Sequence, residues 1–155
     1  MSRSADLLAG SPKVERSDFP IFYPMQTRWM DNDIYGHVNN VTYYSYFDSA
    51  INRFLIEKGG LNIHASDVVG FVVSSNCQFR KPLAYPDAIS VGLRVAKIGH
   101  SSVTYETGIF RDSETEASAY GQVVHVFVSR EHNTATRIPE SIHQALEQIV
   151  VHHFD

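Results

Sequence analysis

The segment VTYYSYFDSAINRFLIEKGG, residues 41–60, most constrains what this chain can fold into. Tyr44, Phe47, Ile51, Phe54 and Leu55 recur every three or four positions, and the stem of Lys58 continues the stripe. That is the period of an amphipathic helix. A carboxamide at Asn39 or Asn40 can cap its start by accepting an orphan amide hydrogen. Lys58-Gly59-Gly60 stops it, because glycine takes the left-handed conformation and lysine suits the negative helix end. So aromatic a helix needs cover on most sides, which makes it central to the fold.

The rest of the chain supplies that cover. YPMQTRW, Tyr23 to Trp29, reads as a first strand. After the helix come four more strand-like runs: DVVGFVVSSNCQFR, AISVGLRVAKI, SSVTYETGIFRD and EASAYGQVVHVFVSRE. The second alternates through Ile89, Val91, Leu93 and Val95, and the third through Val103, Tyr105, Thr107 and Ile109. KPLAYPD, GHS and RDSET separate the runs with turn chemistry, and the short connections favour antiparallel neighbours. The tail PESIHQALEQIVVHHF places Pro139 at a helix start, with Ile142, Ala145, Leu146 and Ile149 on one face. The order is strand, long helix, four strands, short helix. It predicts an α+β domain, an antiparallel sheet on a central helix. Residues 1–18 show no period and read as a loose, flexible N-terminal arm, leaving 19–155 as one domain.

Composition narrows the function. A chain of 155 residues suits one domain and buries roughly 68–70% of its unfolded surface. Hydrophobic residues at 43% against 19% charged exclude a disordered chain, and a net charge of −4 gives no nucleic-acid footprint. A single cysteine, Cys77, rules out an internal disulfide and fits a reducing compartment; in its apolar run it reads as a packing residue. No signal peptide or membrane-length apolar run is visible, so a cytoplasmic location is expected, with no membrane partner.

The polar chemistry concentrates in RWMDNDIYGHVNN, Arg28 to Asn40. Counted from Asp31 as a calcium loop, Asp33 and Gly36 fit, but position five is Tyr35 and position twelve is Thr42, so the bidentate ligand is missing. Zinc would need more nitrogen or sulfur ligands than His37 alone. Two readings remain from the residues. The stretch can be turn and cap chemistry only, with Asp and Asn side chains bonding nearby amides. Alternatively, the unsatisfied amides at the helix start form a ready oxyanion site, faced by a carboxylate from the preceding loop. That pair is the minimum set for acyl transfer. Asp31 can pair with Arg28 and shape the loop, Asn39 suits the cap, and Asp48 lies mid-helix as a polar residue reaching toward an interface.

DNDIYGHVNNVTYYSYF resembles the signature of the 4-hydroxybenzoyl-CoA thioesterase-like family of hotdog-fold acyl-CoA thioesterases. The pattern D-x-x-x-H-V-N-N before an aromatic helix is close to the long-chain acyl-CoA thioesterase branch. The resemblance runs from about Tyr23 to Arg137 and continues in QFRKPLAYPDAISV, VAKIGHSSVTYE and TRIPESI. It implies a five-stranded antiparallel sheet wrapped around one long helix. It implies a homodimer or homotetramer with active sites at the dimer interface, and thioester hydrolysis with neither metal nor redox cofactor. By the same resemblance Asp33 is the nucleophile or general base, and the Asn40 backbone amide is the oxyanion donor. His37 lies on the motif, either in the chemistry or holding the loop. Plant acyl-carrier-protein thioesterases carry an Asn between Asp and His where this chain has Tyr35, which favours a CoA substrate. Gly99, His100, Ser101 and Ser102 fall on the pantetheine or phosphate side of CoA, and a plain hairpin turn is the other reading of them. Arg80 and Lys81 are further candidates for the CoA phosphates. A hotdog hydroxyacyl-thioester dehydratase and a non-catalytic acyl-CoA binder are the competing functions.

Overall fold

The computed structural model describes residues 13–151. Its long helix, α1, spans Asn40–Glu57 and buries Tyr43, Tyr46, Phe47, Ala50, Ile51, Phe54 and Leu55. Tyr44, expected on the inner stripe, is only half-buried and faces a cleft described below. Asn39 is the cap: its side-chain oxygen accepts from the Val41 N–H at 3.0 Å. At the other end Gly60 takes φ +71°, the left-handed stop expected from Lys58-Gly59-Gly60.

The strands are β1 Ile21–Gln26, β2 Val68–Ser75, β3 Gln78–Phe79, β4 Ala88–Ile98, β5 Ser102–Arg111 and β6 Ala119–Ser129. They form one antiparallel sheet in the order β1-β4-β5-β6-β2. The five expected strands are present, and β3 adds a sixth, two-residue piece pairing with the start of β6. The run from Asp67 to Arg80 is therefore broken rather than continuous. The break sits where the chain presses on Gly121 of β6: a Cβ there would stand 1.9 Å from the Asn76 carbonyl oxygen, so only glycine permits the approach. A bulge between Val72 and Ser74 bends the same edge.

Two further boundaries differ from the sequence reading. β1 ends at Gln26, not Trp29, because the chain turns into a 3-10 element at Trp29–Asp31 around the Asp31 carboxylate. The last helix, α2, is Glu140–Glu147 and stops early. Ile149 and Val151 leave it to hydrogen-bond with Val95 of β4, at 2.9 and 3.0 Å. The remainder of the expected helix, from residue 152, lies outside the described residues.

Inward side chains of β1, β4, β5 and β6 join α1 and α2 in one core. The opposite face carries a smaller cluster of Phe19, Phe110 and Ala117. Residues 13–18, read as part of a loose arm, are anchored there. The Arg16 side chain donates to the Glu114 and Arg111 carbonyls and lies over the Phe22 and Phe110 rings. Residues 1–12 lie outside the described residues. No helix among the described residues is long and apolar enough to cross a membrane.

One buried polar residue makes the core sensitive to acid. His125 of β6 is 1% exposed, edge-on to Tyr105, and its Nδ1 has no hydrogen-bond partner. Burial depresses its imidazole from 6.5 to about 4. The neutral form is favoured in the fold, so the unfolded chain takes up the proton first as pH falls. Stability is full above pH 6.5 and declines between 6.5 and about 4. The expected outcome is a urea midpoint that falls from pH 7 to pH 4.5 in the wild type and falls less in His125→Leu. Parallel urea titrations at the two pH values check it.

Candidate active site

The candidate loop is assembled around Asp31. This residue is 3% exposed, and four donors reach its carboxylate. The Arg28 amide gives 2.9 Å to Oδ2, and Arg28 Nε and Nη2 give 3.2 and 3.1 Å to Oδ1. The Tyr46 hydroxyl, from α1, gives 2.7 Å to Oδ2. Burial alone would raise the carboxyl's pKa. The Arg28 amide, the Tyr46 hydroxyl and the Arg28 guanidinium outweigh it and hold the group below its usual value. The same pairing, with burial as the larger cause, pushes the Tyr46 phenol up. The Asp31 carbonyl also accepts from the Asn39 N–H at 2.8 Å. One residue thus fixes both the loop's entry and the helix start. The Arg28–Asp31 pair read from the sequence is present.

The segment between is a tight loop. The Asp33 N–H donates to the His37 carbonyl at 2.9 Å, and the Gly36 N–H returns to the Asp33 carbonyl at 3.1 Å. Gly36 has φ +84°, which a side chain would strain. Asp33 Oδ1 accepts from the Tyr35 N–H at 2.8 Å, so part of the turn-chemistry reading holds while Oδ2 stays available. Asp33 is half-buried and His37 exposed. It is the His37 carbonyl that closes the loop; among the described residues its ring has no hydrogen-bond or ion-pair partner. The Asn40 N–H, at the first position of α1, likewise has none. Contacts not readable from the sequence brace the loop from outside: Val38 N–H to the Leu83 carbonyl at 2.7 Å, Tyr85 N–H to Asn32 Oδ1 at 3.0 Å, and Trp29 edge-on to Tyr85.

The other candidates lie elsewhere. Gly99–Ser102 is a turn, with the Gly99 N–H on the Ser102 carbonyl at 2.7 Å, and the His100 carbonyl accepts from Ile138. It follows the far end of β4, while the loop meets residues 83–87 just before the near end. At about 3.3 Å per residue, β4 separates them by roughly 33 Å within one protomer. Arg80 is buried, 4% exposed, and the Lys81 ammonium lies between Glu114 and Glu116 at 3.8 and 3.7 Å. Cys77 is half-buried, and burial pushes its thiol up to about 12, which keeps it from acting as a thiolate nucleophile near neutral pH. Among the described residues no group of three or more His, Cys, Asp or Glu side chains is placed to hold a metal ion.

A cleft opens one turn into α1. It is a cavity of about 340 Å³ between α1 and β2, lined by Tyr44, Ser45, Asp48, Val72, Ser75 and Val123.

Loop, helix start and sheet order together define a class of protein, and comparison with known proteins places the chain within it. Residues 27–146 match the family described as the Thioesterase-like superfamily. The chain belongs to that superfamily and has its hotdog fold. The crystal structure of the PA5185 protein from Pseudomonas aeruginosa is similar at 50% identity and a TM-score of 0.88, covering 90% of this chain and 97% of that one. Two more distant structures share the fold. A 1,4-dihydroxy-2-naphthoyl-CoA thioesterase from Synechocystis has 18% identity and a TM-score of 0.74, over 83% of this chain and 96% of that one. A Staphylococcus aureus protein solved in complex with CoA has 15% identity and a TM-score of 0.76, over 83% and 82%.

The Asp31 hub gives a stability prediction. Removing one hydrogen bond to a charged group costs about 1.5–3 kcal/mol. Tyr46→Phe should therefore lower unfolding free energy by about 2 kcal/mol, and Asp31→Ala, which strips all four donors, by more. Urea unfolding at pH 7 measures both. Because the folded carboxyl lies below its unfolded value of 3.8, the contribution is present above that pH and is lost as pH falls through the depressed value.

Proposed function

We propose that the chain is an acyl-CoA thioesterase that hydrolyses a fatty or aromatic acyl-CoA to the free acid and CoA. The observation that carries this reading is the unpartnered Asn40 N–H at the start of α1, preceded by a loop that presents the Asp33 carboxylate. A thioester carbonyl placed on that amide gains a donor and the positive end of the helix dipole. Attack on the carbonyl carbon moves an electron pair onto oxygen, and the Asn40 amide stabilises that charge. Collapse expels the CoA sulfur as thiolate, which takes up a proton. Asp33 supplies the attack in one of two ways. As general base it removes a proton from water while the water oxygen bonds to carbon. As nucleophile it forms a mixed anhydride, which water then cleaves. The exposed His37 imidazole, on the residue whose carbonyl accepts from the Asp33 N–H, is assigned to orienting the water or the bound thioester.

Substrate contacts at Gly99, His100, Ser101 and Ser102 belong to the same proposal; Arg80, buried, and Lys81, held by Glu114 and Glu116, are not placed to meet the CoA phosphates. Since roughly 33 Å of strand separates the Gly99 turn from Asp33 in one protomer, any shared site draws the two from different copies. A homodimer or homotetramer with the sites at its interface meets that need. Two surfaces support self-association. Edge strand β2 exposes Phe71 and Val73 at 50% and 59% beside open backbone groups. Around Asp33, Trp29, Met30, Ile34, Tyr35 and Val41 are 69–94% exposed. At about 150–250 Å² per aromatic, Trp29 and Tyr35 alone offer on the order of 300 Å², a large share of the roughly 800 Å² one partner brings to a standard interface. A cytoplasmic setting is part of the proposal, since CoA esters are met there.

Asn40→Pro tests the oxyanion donor directly. Proline lacks the N–H yet suits the first helical position, and Asn39, at φ −60° and ψ 135°, already has the extended conformation that proline demands before it. The expected result is a normal far-UV spectrum with kcat reduced about 10²–10³-fold. Asp33→Ala should cost at least about 100-fold. Thiol release from a panel of acyl-CoAs measures both, and no hydrolysis of any of them by the wild type would sink the reading. After single-turnover hydrolysis in ¹⁸O water, label in the Asp33 carboxylate would establish the nucleophile route with water attacking the Asp33 carbonyl of the anhydride. Trapping of the acyl group on Asp33 by hydroxylamine would reveal the anhydride when water attacks the acyl carbon instead.

For the interface, wild type is expected to sediment as a multiple of the 17.5 kDa chain. Phe71→Lys with Val73→Lys should sediment as the monomer and lose hydrolysis. An active monomer would contradict the shared site.

A further inference from the structure

The cleft between α1 and β2 has one apolar wall and one polar wall. The sheet side, Val72, Val123 and Ser75, is mainly apolar, and Ser45 and Asp48 of α1 stand on the polar side, with Tyr44 between. The polar wall is rich in acceptors. The Ser45 hydroxyl spends its hydrogen on the Thr42 carbonyl at 2.7 Å, so only its lone pairs face outward. Asn52 Nδ2 donates to Asp48 Oδ1 at 3.2 Å and to the Asp48 carbonyl at 2.9 Å, which orients the carboxylate. Oδ2 is left without a partner among the described residues. A carboxylate with one oxygen tied back and one presented to a cavity selects a donor and repels another anion.

The helix also sets a distance. Asp48 lies eight residues beyond Asn40, about 12 Å along the axis. Helical side chains lean back toward the N-terminus by about one residue, which shortens the span to on the order of 10 Å. We propose that this cleft is the acyl pocket and that Asp48 is its specificity-determining residue, selecting acyl groups with a hydroxyl on the order of 10 Å from the thioester carbonyl. The proposal rests on the thioesterase reading. It narrows the substrate class from plain fatty chains to hydroxylated acyl groups, and it excludes acyl groups ending in a carboxylate.

The test compares octanoyl-CoA, 8-hydroxyoctanoyl-CoA, whose extended chain has the required length, and the carboxylate-terminated octanedioyl-CoA. Wild type should prefer the hydroxylated substrate over octanoyl-CoA by about 10-fold in kcat/KM, the gain from one hydrogen bond to a charged group. Octanedioyl-CoA should be the slowest. In Asp48→Ala, checked for folding by far-UV circular dichroism, the ratio should fall to about 1 and the penalty on octanedioyl-CoA should shrink. The wild-type ratio is decisive even if the variant fails to fold. A wild-type ratio near 1, or a ratio unchanged in Asp48→Ala, overturns the assignment while leaving the thioesterase reading intact. A collapse of kcat in Asp48→Ala on all three substrates alike also overturns it, because Asp48 would then serve the reaction. Absence of hydrolysis of every acyl-CoA removes both.

Discussion

The carboxylate of Asp31 lies at the join between two parts of the molecule that must agree in position. One is the loop that carries Asp33. The other is the first turn of α1, which carries the Asn40 amide. Asp31 gathers three bonds from Arg28, one from Tyr46 of the helix, and gives its own carbonyl to the cap residue Asn39. A buried carboxylate without partners is costly, and removing any donor leaves that cost exposed. The loop therefore cannot drift from the helix without breaking a charge-assisted bond. Positioning of this kind matters to catalysis because small displacements of reacting groups forfeit much of the rate. The more buried of the two acids thus organises, and the more accessible one, Asp33, is the acid to which the proposed reaction is assigned.

The same helix serves as core and as candidate catalytic element, and the two roles support each other. Phe47, Ala50, Ile51 and Leu55 are fully buried, so the helix cannot rotate to re-aim its first turn. Its end is held as well, since Ser141 Oγ of α2 donates to the Gly59 carbonyl at 2.9 Å. An oxyanion donor fixed to a packed core needs no reorganisation when charge develops, which is what makes such donors effective.

Features decided locally were legible in the sequence. The period of α1, the Asn39 cap, the glycine stop and the alternation of β4 and β5 are written in neighbouring residues, and each stands where its pattern placed it except Tyr44, which is half-buried at the edge of the helix stripe. Features decided by distant contacts were not. The break at Asn76 depends on Gly121, and the early end of α2 depends on Val95, neither of which a local window contains. In the loop, residue types alone left turn chemistry and oxyanion chemistry both open. Tyr46 as a partner of Asp31 lies fifteen residues away on the helix, and only the folded chain brings the two together. The walls of the cleft beside Asp48 were not legible for a related reason: they come from three separate elements.

That cleft follows from the dimensions of the elements. An α-helix with its side chains is about 10–12 Å across. Five strands spaced about 4.8 Å apart make a sheet roughly 19 Å wide. One helix cannot cover that width, and α2 packs near β4, on the far side from β2. The inner face of β2 is therefore left bare, which is why Val72 is half-exposed although it sits opposite the fully buried His125. A sheet built this way has an unfilled slot along one flank of its helix, beginning one turn from the helix start. The slot follows the helix past Tyr44 and Ser45 to Asp48, so an acyl group held there, as proposed, would lie along the helix axis with its far end at the carboxylate.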